Sequence, residues 1–65
     1  MHQHAELVEL AQLCAFNART TLDPRVAQEL WRMALEYQER AAQADSGKRP
    51  DIGLPPEILR PKDKP

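Results

Sequence analysis

Asp23-Pro24 is the one place where the first 46 residues of this chain invite a break, since no other proline and no glycine occurs before Gly47. On either side the sequence is helix-forming. "AELVELAQLCAFNAR" and "RVAQELWRMALEYQERAAQA" consist mostly of Ala, Leu, Glu, Gln and Arg, which lose little side-chain freedom in a helix. An Asp before a Pro is a helix-start signal. The carboxylate accepts bonds from the unpaired N–H groups of the first turn, and proline at the first helical position has no N–H to leave unpaired. The sequence thus predicts one helix over about 4–19 and a second over about 24–45. "DSGKRP" closes the second helix, with Gly47 at the left-handed C′ position and Pro50 beyond. A linker of about four residues forces the helices into an antiparallel hairpin over 1–46, followed by a Pro-rich extended tail over 47–65.

The apolar residues place a face on each helix. Leu7, Leu10, Ala11, Cys14 and Ala18 follow the i, i+3, i+4, i+7 spacing in the first, and Val26, Ala27, Leu30, Met33, Ala34, Tyr37 and Ala41 do so in the second. Both helices then have apolar residues to spare. Trp31, Leu35 and Ala42 widen the second face to roughly 200°, where one packed face needs ~100°. Leu13 and Phe16 lie well off the first face. A 65-residue chain builds only a marginal core. Cys14, the lone cysteine, offers no internal disulfide and suits a reducing compartment. The all-α hairpin is therefore expected to cover its surplus with a partner. The simplest is a second copy in an antiparallel four-helix bundle, and a larger protein assembly is the other option.

The tail holds both glycines and five of the six prolines, which excludes a continuous helix or a central strand. Ile52, Leu54, Ile58 and Leu59 keep it from being purely solvating, and "LPPEIL" suits a single helical turn. Two fates are open. The tail folds back along the hairpin and covers Trp31, or it docks as a linear motif in a groove of another protein. The expected partner interface comprises Leu13, Phe16, Trp31, Leu35, Ile52, Leu54, Ile58 and Leu59. The closing "RPKDKP" is expected to be disordered.

Charge and chemistry exclude more than they suggest. Residues 1–47 carry four basic against seven acidic side chains, a net −3, and residues 48–65 carry five against three, a net +2. The helical part has the wrong sign to hold phosphates or an anionic membrane surface, so only the tail has any attraction for nucleic acid. No run of about 18 apolar residues spans a bilayer, and "MHQHAELVEL" lacks the pattern of a signal peptide. The expected compartment is the cytoplasm. His2, His4 and Cys14 are the candidate soft metal ligands, but a structural zinc site needs four ligands at tight spacings. Cys14 reads better as a small buried hydrophobe. Glu6, Glu9, Glu36 and Glu39 point outward with nothing to tune them as acids or bases. Arg25/Glu29, Arg32/Glu36 and Glu36/Arg40 read as solvated i, i+4 pairs. No catalytic residue, cofactor or small-molecule substrate is implied.

The positions Cys14, Ala18, Asp23-Pro24-Arg25-Val26, Leu30, Ala34, Tyr37 and Ala41 give residues 5–44 a resemblance to a group of short alphaproteobacterial helical-hairpin proteins. That group has Cys near the middle of an Ala- and Leu-rich first helix and an Asp/Asn-Pro-x-Val corner. Its usual basic residue after the Cys is replaced here by Ala15. The resemblance implies a hairpin fold and a bacterial source, and no established activity. The sequence reading therefore favours a small non-enzymatic interaction protein. An acidic antitoxin-like or anti-factor regulator that masks a target is the alternative, and a metal-binding protein through His2, His4 and Cys14 is a further one. Loss of the Asp23 cap (Asp23→Ala) is expected to lower stability by about 1 kcal/mol in a thermal melt. Leu30→Ala is expected to cost roughly 2–5 kcal/mol if that residue is fully buried.

Overall fold

The computed structural model of the chain describes residues 3–60. They form two helices, α1 (Gln3–Thr20) and α2 (Pro24–Ala44), and a single 3-10 turn at Glu57–Leu59. The described residues contain no strand. Only Thr21, Leu22 and Asp23 join the helices. Asp23 is extended, at φ −93° and ψ 115°, and its carboxylate accepts from the backbone N–H groups of Arg25 at 2.9 Å and Val26 at 3.5 Å. Thr21 Oγ1 accepts from the Asp23 N–H at 3.3 Å and holds the cap in place. Donors that helix geometry leaves unpaired are thus satisfied by the residues that the sequence marks for the task.

The far end of α2 differs in one detail from the expectation. The Gly47 N–H donates to the Ala42 carbonyl at 2.6 Å, the six-to-one bond of a Schellman ending. With Asp45 as the C-cap, the C′ position falls on Ser46, whose φ is 55°, and Gly47 follows at φ 87°. A serine therefore takes the left-handed position assigned to glycine, because the helix ends at Ala44 with Asp45 as its cap. The two chain directions close on each other nearby. His4 Nε2 at the start of α1 lies 3.8 Å from Asp45 Oδ2 at the end of α2, which makes the hairpin antiparallel.

The seam between the helices is made of alanine. Ala11, Ala15, Ala27, Ala34 and Ala41 have 0% of their surface exposed, and Ala18, Ala42 and Cys14 are also buried. Ala27, Ala34 and Ala41 stand seven residues apart, and Ala11 and Ala18 repeat that spacing on α1. A seven-residue repeat keeps one line of a helix facing its neighbour. With only methyl groups on that line, the backbones can pack at the short end of interhelical distances. Among the described residues no large side chain is fully buried. Leu7, Leu30, Met33 and Tyr37 are half-buried and flank the seam.

Two of the expected face residues are displaced by this arrangement. Leu10 and Val26 are exposed, whereas Ala15 is fully covered. Close approach selects the smallest side chains for the contact line and sends branched ones to its rim. The resulting molecule is flat, extending 43 × 26 × 13 Å. Its stability rests on the rim, because a buried methyl contributes only about 0.8 kcal/mol. Leu30→Ala is accordingly expected to cost about 1–2 kcal/mol, below the range for a full core position. Ala34→Leu is expected to cost about 1–3 kcal/mol by forcing the helices apart. Denaturant melts followed by circular dichroism check both, and a neutral Ala34→Leu would refute the tight seam.

Candidate interaction surface

The tail settles over one side of the hairpin. Ile52 is only 6% exposed and joins Ala11, Cys14, Ala15 and Ala34 in one buried cluster, against which Trp31, Met33 and Tyr37 pack. Backbone carbonyls of the tail are gripped from the helices. Arg19 Nη1 on α1 donates to the Ile52 carbonyl at 2.8 Å and to the Leu54 carbonyl at 3.0 Å. Gln38 Nε2 on α2 donates to the Pro50 carbonyl at 2.9 Å, and Arg49 pairs with Glu39 at 2.9 Å. These bonds matter because prolines and an irregular course leave the tail without a ladder of its own. Gly53 makes the grip possible. Its φ is 84°, and a Cβ there would stand 2.9 Å from Arg19 Nη1. Asp51 Oδ1 accepts from the Gly53 N–H at 2.9 Å and sets the bend.

Of the residues expected to meet a partner, Ile52 is therefore taken up by the chain's own core. Trp31 and Leu59 are half-buried, with Trp31 packed on the cluster that holds Ile52. Leu13, Phe16, Leu35, Leu54 and Ile58 are exposed. Leu13 and Phe16 are each 56% exposed, and with Leu10 they form an apolar strip along α1, bordered by Glu6, Glu9 and Gln12. At about 100° per residue Leu13 and Phe16 lie on the opposite side of α1 from Ala11 and Ala18, with Leu10 at the edge of that side. That side faces away from α2. A second exposed apolar group surrounds the corner, where Leu22 is 98% exposed beside a shallow hollow bordered by Pro56 and Ile58. The sequence reading did not single out Arg19, Gly53 or Leu22. A glycine next to Ile52 in a proline-rich segment was the one available sign of a specific bend.

The polar groups offer little chemistry. Burial pushes the Cys14 thiol above its usual pKa, which suppresses the reactive thiolate. His4 and Cys14 are ten residues apart on one helix, about 15 Å along its axis, so they cannot share an ion within one chain. His2 lies outside the described residues, as do residues 61–65, for which disorder was expected. Among the described residues no group of three or more His, Cys, Asp or Glu side chains is placed to hold a metal. Arg32 holds Glu36 at 2.8 Å and also Glu29 at 2.7 Å. Glu29 thus turns to Arg32 where Arg25 was the expected partner, and Arg40 lies 5.7 Å from the centre of the Tyr37 ring. Such exposed pairs contribute a few tenths of a kcal/mol. No described helix is long and apolar enough to cross a membrane.

Gly53→Ala combines an unfavourable φ with a collision at Arg19, and Arg19→Ala removes the grip directly. Both are expected to loosen the tail and shift Trp31 fluorescence to the red, with Gly53→Ala costing about 1–2 kcal/mol. An unchanged emission maximum in both variants would mean that Trp31 does not depend on the tail.

No family model matches the chain, and no curated protein or solved structure matches it either.

Proposed function

We propose that this chain is a non-enzymatic interaction protein, acting in the cytoplasm, whose contact face is the outer side of α1. The observation that supports this reading is the exposure of Leu13 and Phe16, with Leu10 at their edge, on the side of α1 that neither α2 nor the hairpin's own seam uses. Contiguous exposed apolar surface on a small protein is characteristic of a binding site. The strip is not needed to hold the hairpin together, so its composition answers to something outside the chain. Covering its exposed half against a partner would contribute about 3 kcal/mol of gross hydrophobic stabilisation. Contacts at the rim must add to that before a stable complex forms.

The reading as an acidic regulator has a narrower basis in Glu6 and Glu9, which border the strip. They would suit a target that combines an apolar groove with basic residues. A complex of that kind weakens as salt rises. The reading as a nucleic-acid binder loses one of its charges, since Arg49 is paired with Glu39.

The test compares the tagged chain with a Leu13→Gln/Phe16→Gln variant by size exclusion of native extract. The unaltered chain is expected to elute in a complex larger than a monomer and the variant as a monomer. Its melting temperature should stay nearly the same, because exposed substitutions change stability by less than about 0.5 kcal/mol. Identical elution of the two chains would overturn the proposal.

A further inference from the structure

The tail is held as a bound peptide is held. Among the described residues no backbone N–H of residues 49–60 donates to either helix. Those that bond do so locally, Gly53 to Asp51, Leu59 to Pro56 and Arg60 to Glu57. Apart from the exposed Arg49–Glu39 ion pair, the polar contacts across the boundary all run from a helix side chain to a tail carbonyl. The carbonyls are those of Pro50, Ile52 and Leu54, every second position, which is the repeat at which an extended chain presents one side. Peptide-binding proteins read extended ligands in this manner, with main-chain bonds for affinity and a pocket for a chosen side chain. The chosen side chain here is Ile52, buried among Ala11, Cys14, Ala15 and Ala34.

The hairpin's polar groups are complete without the tail. Asp23 caps the start of α2, and the Gly47 N–H closes its end on the Ala42 carbonyl, before the tail begins. Ala18, Ala27, Ala41 and Ala42 are buried in the hairpin without belonging to the Ile52 cluster. Lifting the tail returns Arg19 and Gln38 to water, which satisfies their donors, so the loss is confined to apolar contact. A segment attached in that way opens as a unit of its own.

We propose that the surface beneath the tail is a binding site for an extended segment of another protein, and that residues 48–60 are its displaceable internal occupant. The ligand has a branched apolar residue followed by glycine, with proline on either side, as Pro50, Ile52, Gly53 and Pro55 have here. This site is separate from the outer side of α1 and does not depend on it. The tail itself leaves part of its track unfilled. Leu22 is 98% exposed, and a hollow stays open between it and Pro56 and Ile58. A foreign segment that closes this hollow has a contact the tail lacks. It needs one, because a short tether holds the tail at an effective concentration of about 1 mM. The tail of a second copy brings the same residues and has no such advantage.

Cys14 and Trp31 report on the site, since both lie in or against the Ile52 cluster. In the unaltered full chain under rising urea, Cys14 is expected to react with an aromatic disulfide before helical circular dichroism falls. In the full-length Gly53→Ala variant, helical circular dichroism should persist, Trp31 emission should shift red and Cys14 should react about tenfold faster. A synthetic peptide of residues 48–60 added at about 1 mM should reverse both changes. The peptide carrying Leu54→Ser and Glu57→Ser should do as well, the Ile52→Asp peptide should fail, and Ile58→Phe should act at lower concentration by filling the hollow beside Leu22. Coincident loss of helix and of Cys14 protection would make the tail an inseparable part of the fold and overturn the proposal. So would the absence of reversal by the peptide, or equal reversal by its Ile52→Asp form. A mass that doubles with concentration in the unaltered chain and stays single in Ile52→Asp would make the occupant a second copy's tail, and overturn the foreign partner.

Discussion

Methyl-on-methyl contact between α1 and α2 is the constraint from which the rest of this structure follows. With Ala11, Ala15, Ala27, Ala34 and Ala41 on the line of contact, the helices can approach closely, and no bulky side chain fits between them. This inverts the usual economy of a small helical protein, in which a few large residues fill the centre. Here the large residues line the edges. One edge is closed by Ile52 from the tail, which reaches the seam because Gly53 bends the chain and Arg19 holds it there.

The same constraint explains why α1 has two apolar sides. A seam of alanines leaves Leu10, Leu13 and Phe16 no place inside the hairpin, and the tail lies elsewhere. The helix is therefore weakly amphipathic by composition, yet each of its sides is consistent with a separate use. One is the internal seam. The other is the surface on which the proposed function depends. Leu35 on α2 is exposed as well, but it stands more singly, and scattered exposed apolar residues are ordinary on protein surfaces.

The hairpin was legible because its signals are local. Asp23-Pro24 fixes where α2 begins, and the lack of glycine and other proline up to Ser46 fixes how far the helices run. The identity of the seam was less legible. Periodicity placed Leu10 and Val26 beside the alanines on the predicted faces, since it ranks residues by hydrophobicity and not by size. The choice of alanine over leucine at the contact is made by the partner helix, which no window of one helix reveals. The route of the tail was harder still. It depends on Arg19 meeting carbonyls more than 30 residues away, a bond between a side chain and backbone that leaves no pattern in composition. Ser46 at the C′ position shows the scale at which local reading stops, one residue either way.

Arg19 recognises the tail through the carbonyls of Ile52 and Leu54, and Gln38 recognises it through the carbonyl of Pro50. Every residue type presents that same oxygen. Anchorage thus depends on few of the tail's side chains: the apolar plug at Ile52, Asp51 and Gly53 at the bend, the buried Pro56 and the pairing of Arg49 with Glu39. Outward positions such as Leu54 and Ile58 can drift in sequence without unfastening the segment. The strap separates how it is held from what it displays, which leaves the displayed half of this small protein open to change while the fold beneath it stays fixed.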